Sequence, residues 1–157
     1  MNNWVKLIIA LAIPQLVAAS GAYFTVTGTG SWYQALDKPS WNPPSWVFGP
    51  VWTTLYILMG IAMFLVWKSE APDKLKRRAT IMWSVQLVFN FLWSFLFFGQ
   101  QQIFGALLEI VVLWVLILLT IFAFARVNRL AAWLLVPYIS WVSFATILTY
   151  AIWDLNR

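Results

Sequence analysis

The chain has 157 residues, 62% of them hydrophobic and only 10% charged. A soluble domain carries roughly 45–50% apolar and about 25% charged residues. The composition therefore indicates an integral membrane protein. Cysteine and histidine are both absent, which excludes disulfides, thiol nucleophiles and the usual zinc and haem ligands, and predicts no metal and no fixed cofactor. The net charge of +5 comes from short basic connections between apolar runs, which favours a role in membrane topology over nucleic-acid binding.

Five apolar runs are close to the length needed to cross a hydrocarbon core of about 30 Å. They predict an all-α membrane protein in which residues 1–157 form a single bundle of five transmembrane helices. The connections between the later runs are brief, which makes neighbouring helices antiparallel. The predicted spans cover residues 4–26, 46–67, 80–98, 103–125 and 130–153.

The first run has a second interpretation, which is a cleaved signal peptide. Lys6 precedes the apolar stretch, and residues 18–20 (Ala-Ala-Ser) resemble a cleavage site. The apolar stretch continues to Val26, however, and is longer than the apolar core of a typical signal peptide. We therefore favour a first transmembrane helix.

The connection between the first two spans, residues 32–46, is dense in tryptophan and proline. Prolines restrict the backbone, so this segment loses less conformational entropy when it becomes ordered. Tryptophans offer broad flat surfaces for stacking on a planar ligand or for packing on helix ends. The sequence predicts an ordered cap, in which Lys38 or backbone amides of the loop are candidate partners for ligand carboxylates.

Basic residues indicate how the chain is oriented in the membrane. Eight of the ten lie on one side of the predicted bundle, and only Lys38 and Arg157 lie on the other. Positively charged connections stay in the cytoplasm, so we expect the N-terminus and the basic loop at residues 68–78 to be cytoplasmic. The first loop and the C-terminus are then outside. The basic loop also has a second possible role in contacting anionic lipid headgroups.

Polar residues inside the spans are candidates for function because they are costly to place in hydrocarbon. With a helical rise of about 1.5 Å per residue, Trp52, Asn90 and Glu109 lie roughly 9–12 Å below the membrane surface on the side of the first loop. These positions predict a cavity under that loop, although separate interhelical hydrogen bonds are the alternative. The fifth span adds residues in or below the same half of the membrane, namely Thr146, Thr149, Tyr150, Trp141 and Tyr138.

A long motif gives the chain a resemblance to a known family. Residues 32–56 read W-Y-x-x-L-x-K-P-x-W-x-P-P-x-W-x-F-x-P-V-W-x-x-L-Y. This pattern is similar to the signature of the translocator protein family, also called the tryptophan-rich sensory protein or peripheral-type benzodiazepine receptor family. Further matches at residues 86–93 and 137–146 extend the resemblance over nearly the whole chain, which looks like a bacterial member.

The resemblance implies a five-helix bundle, commonly a homodimer, in a bacterial cell membrane. It also implies binding of porphyrins such as protoporphyrin IX and of hydrophobic drug-like molecules in a pocket closed by the first loop. Carried over by position, the implied pocket residues are Ala22, Tyr33, Trp41, Pro43, Trp52, Asn90, Trp141 and Ala145. The polar positions in the spans complete the predicted ligand-binding set with Glu109, Tyr138 and Thr149.

Three functions are consistent with this pocket. Binding and sensing of porphyrins is the leading hypothesis, with metal-free protoporphyrin favoured over haem because the chain has no His or Cys to serve as an axial ligand. Light-dependent porphyrin degradation is the enzymatic alternative, for which Trp52 and Trp141 match the implicated positions. Transport of porphyrin or sterol ranks lowest, because the polar residues lie in one half of the membrane. The family's proposed sterol pattern is also incomplete here, since six residues separate Tyr150 from Arg157.

Overall fold

The computed structural model describes residues 2–157, so Met1 of the predicted domain lies outside the described residues. These residues form seven α-helices and one π-helical turn. In chain order the elements are α1 (Asn3–Phe24), α2 (Trp32–Ala35), α3 (Ser45–Lys68), α4 (Asp73–Ser94) with its π-helical continuation (Phe95–Gly99), α5 (Ile103–Ala125), α6 (Arg129–Trp133) and α7 (Val136–Leu155).

Five segments are long and apolar enough to span a membrane, which confirms the predicted fold. Helices suit hydrocarbon because each one satisfies its own backbone hydrogen bonds. The third segment begins at Asp73, earlier than the predicted residue 80, because the basic turns before the apolar run are also helical. The fifth segment, Arg129–Leu155, consists of α6 and α7, and Pro137 lies in the first turn of α7, where its missing N–H group costs no helical hydrogen bond.

Hydrogen bonds at the two ends of the bundle show which elements lie together. The Lys6 ammonium donates to the carbonyl of Trp67 at 3.0 Å, which joins the start of α1 to the end of α3. At the opposite end, the Asn156 side chain accepts from the Asp37 amide at 3.0 Å and donates to the Asp37 carbonyl at 2.8 Å. Loop 1, defined as residues 25–44, therefore lies at the same end as the C-terminus. We call this the loop end and the other the basic end.

Close packing of α1 on α3 depends on Gly60. A Cβ atom at this position would lie 2.8 Å from the carbonyl oxygen of Ala10 and 2.9 Å from the Cα atom of Leu11. Both atoms belong to the backbone, so only a shift of α1 itself would relieve the contact. Around this point the core is fully buried at Ala10 and Met59.

We predict that Gly60→Ala destabilises the protein by about 1–3 kcal/mol through overpacking. Thermal unfolding in detergent measures the effect. Gly49→Ala is the matched control, because Gly49 lies on the same helix and an added Cβ would meet no atom within 4 Å. Equal unfolding temperatures for Gly60→Ala and the control would contradict the predicted role of Gly60.

Candidate functional site

Loop 1 is ordered by a lysine that binds the loop's own backbone. The Lys38 ammonium donates to the carbonyls of Leu36 at 2.7 Å, Tyr33 at 2.8 Å and Gln34 at 3.3 Å. It also lies 4.9 Å from the centre of the Tyr33 ring. An ammonium has three N–H donors, so Lys38 is engaged within the loop and is not directed at a ligand, in contrast to the role considered from the sequence.

Aromatic packing joins loop 1 to the loop end of the bundle. The Tyr33 ring lies 5.6 Å from Phe98 and the Trp32 ring 5.6 Å from Phe97, measured between centroids. The Tyr33 hydroxyl donates to the side-chain oxygen of Asn42 at 3.2 Å. Burial raises the pKa of Tyr33 above its ordinary value of 10, and the bond to Asn42 offsets part of that rise. Tyr33 is therefore a neutral donor at physiological pH. The aromatic contacts and this hydrogen bond make loop 1 an ordered cap, as its composition predicts.

A cavity of about 300 Å³ lies directly beneath this cap. Its volume is at the lower end of the range of about 300–1,000 Å³ found for small-molecule pockets. Its walls come from loop 1, α3, the end of α4 with the π-helical turn, and α7. The lining residues are Thr25, Thr27, Tyr33, Ser45, Phe48, Gly49, Trp52, Trp93, Phe97, Phe98, Trp141, Ala145, Leu148, Thr149 and Ile152.

Five of the residues predicted from the sequence line this cavity together. They are Tyr33 from the cap, Trp52 from α3, and Trp141, Ala145 and Thr149 from α7. The three α7 residues recur at intervals of four, which puts them on one face of that helix. The side chain of Thr149 donates to the carbonyl of Ala145 at 2.8 Å, so this hydroxyl is satisfied within its own helix.

Asn90 lies at the floor of the site. It shares with Trp52 and Ala145 a void of about 10 Å³ between the cavity and the core. Tyr56 and Tyr138 flank Trp52 just below the cavity, with ring centroids 5.6 Å and 6.3 Å from the Trp52 ring. A void of this size holds about one water molecule at most, so the cavity is nearly closed from below.

A chain of buried hydrogen bonds forms that floor. The Tyr56 hydroxyl donates to the Asn90 side-chain oxygen, and the Asn90 amide donates to the Tyr138 hydroxyl at 2.9 Å. The Tyr138 hydroxyl in turn donates to the Gln86 side-chain oxygen at 2.8 Å. This floor network, Tyr56–Asn90–Tyr138–Gln86, joins α3, α4 and α7. Gln86 is not among the site residues predicted from the sequence, although it lies four residues before Asn90 on one face of α4.

The remaining predicted site residues lie outside the cavity lining. Ala22 is exposed on α1. Trp41 is 47% exposed, and its ring packs on Phe144 with 5.9 Å between centroids. Pro43 is half-buried in loop 1, where its carbonyl accepts from the Asn42 amide at 3.0 Å. A role of these three residues in ligand binding stays a prediction.

Glu109 is buried on α5 but does not line the cavity. Within residues 2–157 neither of its carboxylate oxygens has a hydrogen-bond partner. It lies on the same face of α5 as Ala106, Ile110 and Leu113, which are almost fully buried. The structure therefore places this carboxyl group on an otherwise apolar buried face of α5, outside the lining of the cavity.

Two indole N–H groups around the cavity are left without partners. The Nε1 atoms of Trp93 and Trp141 are buried and have no hydrogen-bond partner among the described residues. A buried donor without a partner costs roughly 1–3 kcal/mol. Both residues line the cavity, but the two nitrogen atoms are shielded from it, so a ligand acceptor reaches them only when the indole rings turn. Trp93 matches the family motif but is not among the site residues predicted from the sequence.

Comparisons with known proteins agree with the motif. The family described as "TspO/MBR family" matches residues 10–154. The "Tryptophan-rich protein TspO" of Chlorobaculum tepidum is 42% identical over 99% of each chain. The human "Translocator protein" is 40% identical, covering 98% of this chain and 92% of its own. The "Tryptophan-rich sensory protein" of Cereibacter sphaeroides is 36% identical, covering 98% of this chain and 93% of its own.

We predict that Tyr138→Phe lowers the free energy of unfolding by about 1–3 kcal/mol, because it removes one hydroxyl and leaves two buried groups of the floor network unpaired. Thermal unfolding in detergent measures the loss. Tyr150→Phe is the control, since Tyr150 lies on the same helix and is 53% exposed. If both variants unfold at the wild-type temperature, the floor network does not stabilise the bundle.

Proposed function

Because this chain belongs to the TspO/MBR family, we propose that it is a membrane-embedded binding and sensing protein for porphyrins and other hydrophobic ring compounds. The ligand occupies the cavity beneath loop 1. The observation that carries this proposal is an apolar, tryptophan-walled cavity that is capped by an ordered loop.

The chemistry of the walls favours flat, apolar ligands with polar edges. Trp52 and Trp141 stand on different helices and both face the same cavity, so a planar ring is able to pack against either indole. Carbonyl or carboxylate oxygens of the ligand are suitable acceptors for the N–H groups of Trp93 and Trp141. Protoporphyrin IX combines a flat macrocycle with carboxylates, and its binding without iron needs no axial ligand.

Ligand size sets a requirement for the cap. The cavity of about 300 Å³ accommodates a compact drug-like molecule with loop 1 in place. A four-ring macrocycle is larger, so its entry requires loop 1 to move away from the bundle. The polar attachment available for release is the pair of hydrogen bonds between Asn156 and Asp37. Because a larger ligand requires loop 1 to move, the position of the loop depends on which ligand is bound. This dependence gives the protein a physical means of sensing the ligand.

The proposed orientation puts the loop end outside the cell and the basic end in the cytoplasm of a bacterial cell. Its support is the excess of Lys and Arg at the basic end. In this orientation the cap and cavity take ligands from the outer half of the membrane. The floor network lies between the cavity and the basic end, which favours binding over passage through the bundle.

We predict that Trp141→Phe weakens protoporphyrin IX binding about fivefold, because it removes an N–H donor worth about 1 kcal/mol. Trp52→Phe is expected to weaken binding about threefold by reducing the stacking surface. Quenching of tryptophan fluorescence by added protoporphyrin measures both. Trp133→Phe is the control, since Trp133 is 70% exposed on α6 at the basic end. Unchanged curves for both cavity variants would refute the proposed site.

A second candidate function is light-dependent oxidation of the bound porphyrin by molecular oxygen. Its support is the pair of indoles in the cavity wall, because an electron-rich indole is able to donate an electron to the photoexcited macrocycle. The reduced macrocycle passes this electron to O2, and the superoxide so formed adds to the macrocycle. The adduct returns one electron to the oxidised indole, so the net change is the addition of O2 to the porphyrin. We predict that illumination in air bleaches the porphyrin absorption band faster with wild-type protein than with Trp52→Phe. Equal bleaching with the variant, or with an unrelated membrane protein, would show photosensitised damage instead of an activity.

A further inference from the structure

The basic end carries a second large concavity that the proposed function does not use. A groove of about 650 Å³ lies between the start of α4 and the end of α5. We call it the basic groove. Three arginines line it, Arg78, Arg126 and Arg129, above a mostly apolar floor formed by Leu75, Met82, Leu119, Phe122 and Ala123.

The three groove arginines come from different parts of the chain and are not engaged elsewhere. Arg78 is in the second turn of α4, Arg126 follows α5 and Arg129 begins α6. Within residues 2–157, none of them makes a side-chain hydrogen bond or an ion pair, and no acidic residue lines the groove. The nearby Asp73 is paired with Lys76 at 3.0 Å. Guanidinium groups bind phosphate oxygens in a bidentate geometry, so the groove offers three sets of unpaired donors to a phosphate.

The floor of the groove identifies what kind of phosphate fits. Leu119 and Phe122 belong to membrane-spanning α5 and are 47% and 59% exposed. The apolar floor therefore continues from the arginines toward the hydrocarbon layer. The exposed Trp133 on neighbouring α6 is of the type that anchors at the headgroup level. A soluble phosphate compound would leave this floor uncovered, whereas a phospholipid covers it with an acyl chain.

We propose that the basic groove is a specific binding site for one anionic phospholipid. The headgroup phosphate binds Arg78, Arg126 and Arg129, and an acyl chain lies along Met82, Leu119 and Phe122. This assignment goes beyond a general contribution of positive charge to topology, because Lys68, Lys74 and Arg77 belong to the same basic end and do not line the groove.

The test compares two variants that lose the same charge. In one, the groove arginines are replaced together (Arg78→Gln, Arg126→Gln and Arg129→Gln). In the control, Lys68→Gln, Lys74→Gln and Arg77→Gln remove three charges outside the groove. Each protein is purified in non-ionic detergent, which has no charged surface, and is offered phosphatidylglycerol and phosphatidylcholine with identical acyl chains. Native mass spectrometry counts the lipids that remain bound.

Wild-type protein is expected to retain one phosphatidylglycerol per chain in preference to phosphatidylcholine. A basic residue at an anionic headgroup contributes about fivefold in affinity, so the groove variant should lose roughly 100-fold and the control less than about fivefold. Free glycerol phosphate should not displace the lipid, because it cannot cover the apolar floor.

Thermal unfolding checks that both variants are folded. If the triple groove variant does not fold, the single variants Arg126→Gln and Arg129→Gln replace it. Each of them should lose about fivefold in affinity for phosphatidylglycerol.

Three results would overturn the proposal. Wild-type protein with no preference for phosphatidylglycerol would show that the groove does not select anionic lipid. Equal losses in the groove variant and the control would show that binding depends on overall charge. In the third result, glycerol phosphate displaces the bound lipid at the same concentration as a short-chain phosphatidylglycerol does. That result would show that the groove binds soluble phosphates. The porphyrin titration is independent of all three results, because the cavity lies at the opposite end of the bundle.

Discussion

The floor network holds together the helices that form the cavity. Polar side chains in a membrane have no bulk water with which to bond, so their partners come from their own helix or from neighbouring helices. Tyr56, Asn90, Tyr138 and Gln86 supply these partners to one another across α3, α4 and α7. The same three helices carry Trp52, Trp93 and Trp141 on the loop side of the network. The spacing of the cavity walls therefore depends on hydrogen bonds that lie below them.

The two ends of the bundle are built for different surroundings. At the loop end, Lys38 binds backbone carbonyls and Asn156 binds the Asp37 backbone, so the polar groups serve the cap itself. The surfaces left for a ligand there are aromatic and apolar. At the basic end, Arg126 and Arg129 are exposed and remain available for an anionic partner. One small bundle thus presents an aromatic cavity at one membrane face and a cationic groove at the other.

Several features of the site were beyond prediction from the sequence. The π-helical turn at Phe95–Gly99 changes which residues face inward at the end of α4, and it adds Phe97 and Phe98 to the cavity. Regular helical periodicity does not predict such a turn. Trp93 stacks on Phe97 with 5.1 Å between ring centroids where α4 passes into this turn. The role of Lys38 was likewise not predictable, because it depends on carbonyls that converge only when loop 1 folds.

The sequence by itself determined the five membrane spans, the family and five of the residues that line the cavity. These features follow from hydrophobic run length, from local motifs and from polar positions within a span, and all three are read from neighbouring residues. Only the tertiary structure decided that Asn90 and Tyr138 form the floor, that Glu109 lies beside the cavity, and that Arg78 and Arg126 line one groove. Such relations depend on how separate helices rotate and pack against one another. In a chain that is apolar on nearly every helical face, the sequence pattern carries little information about that rotation.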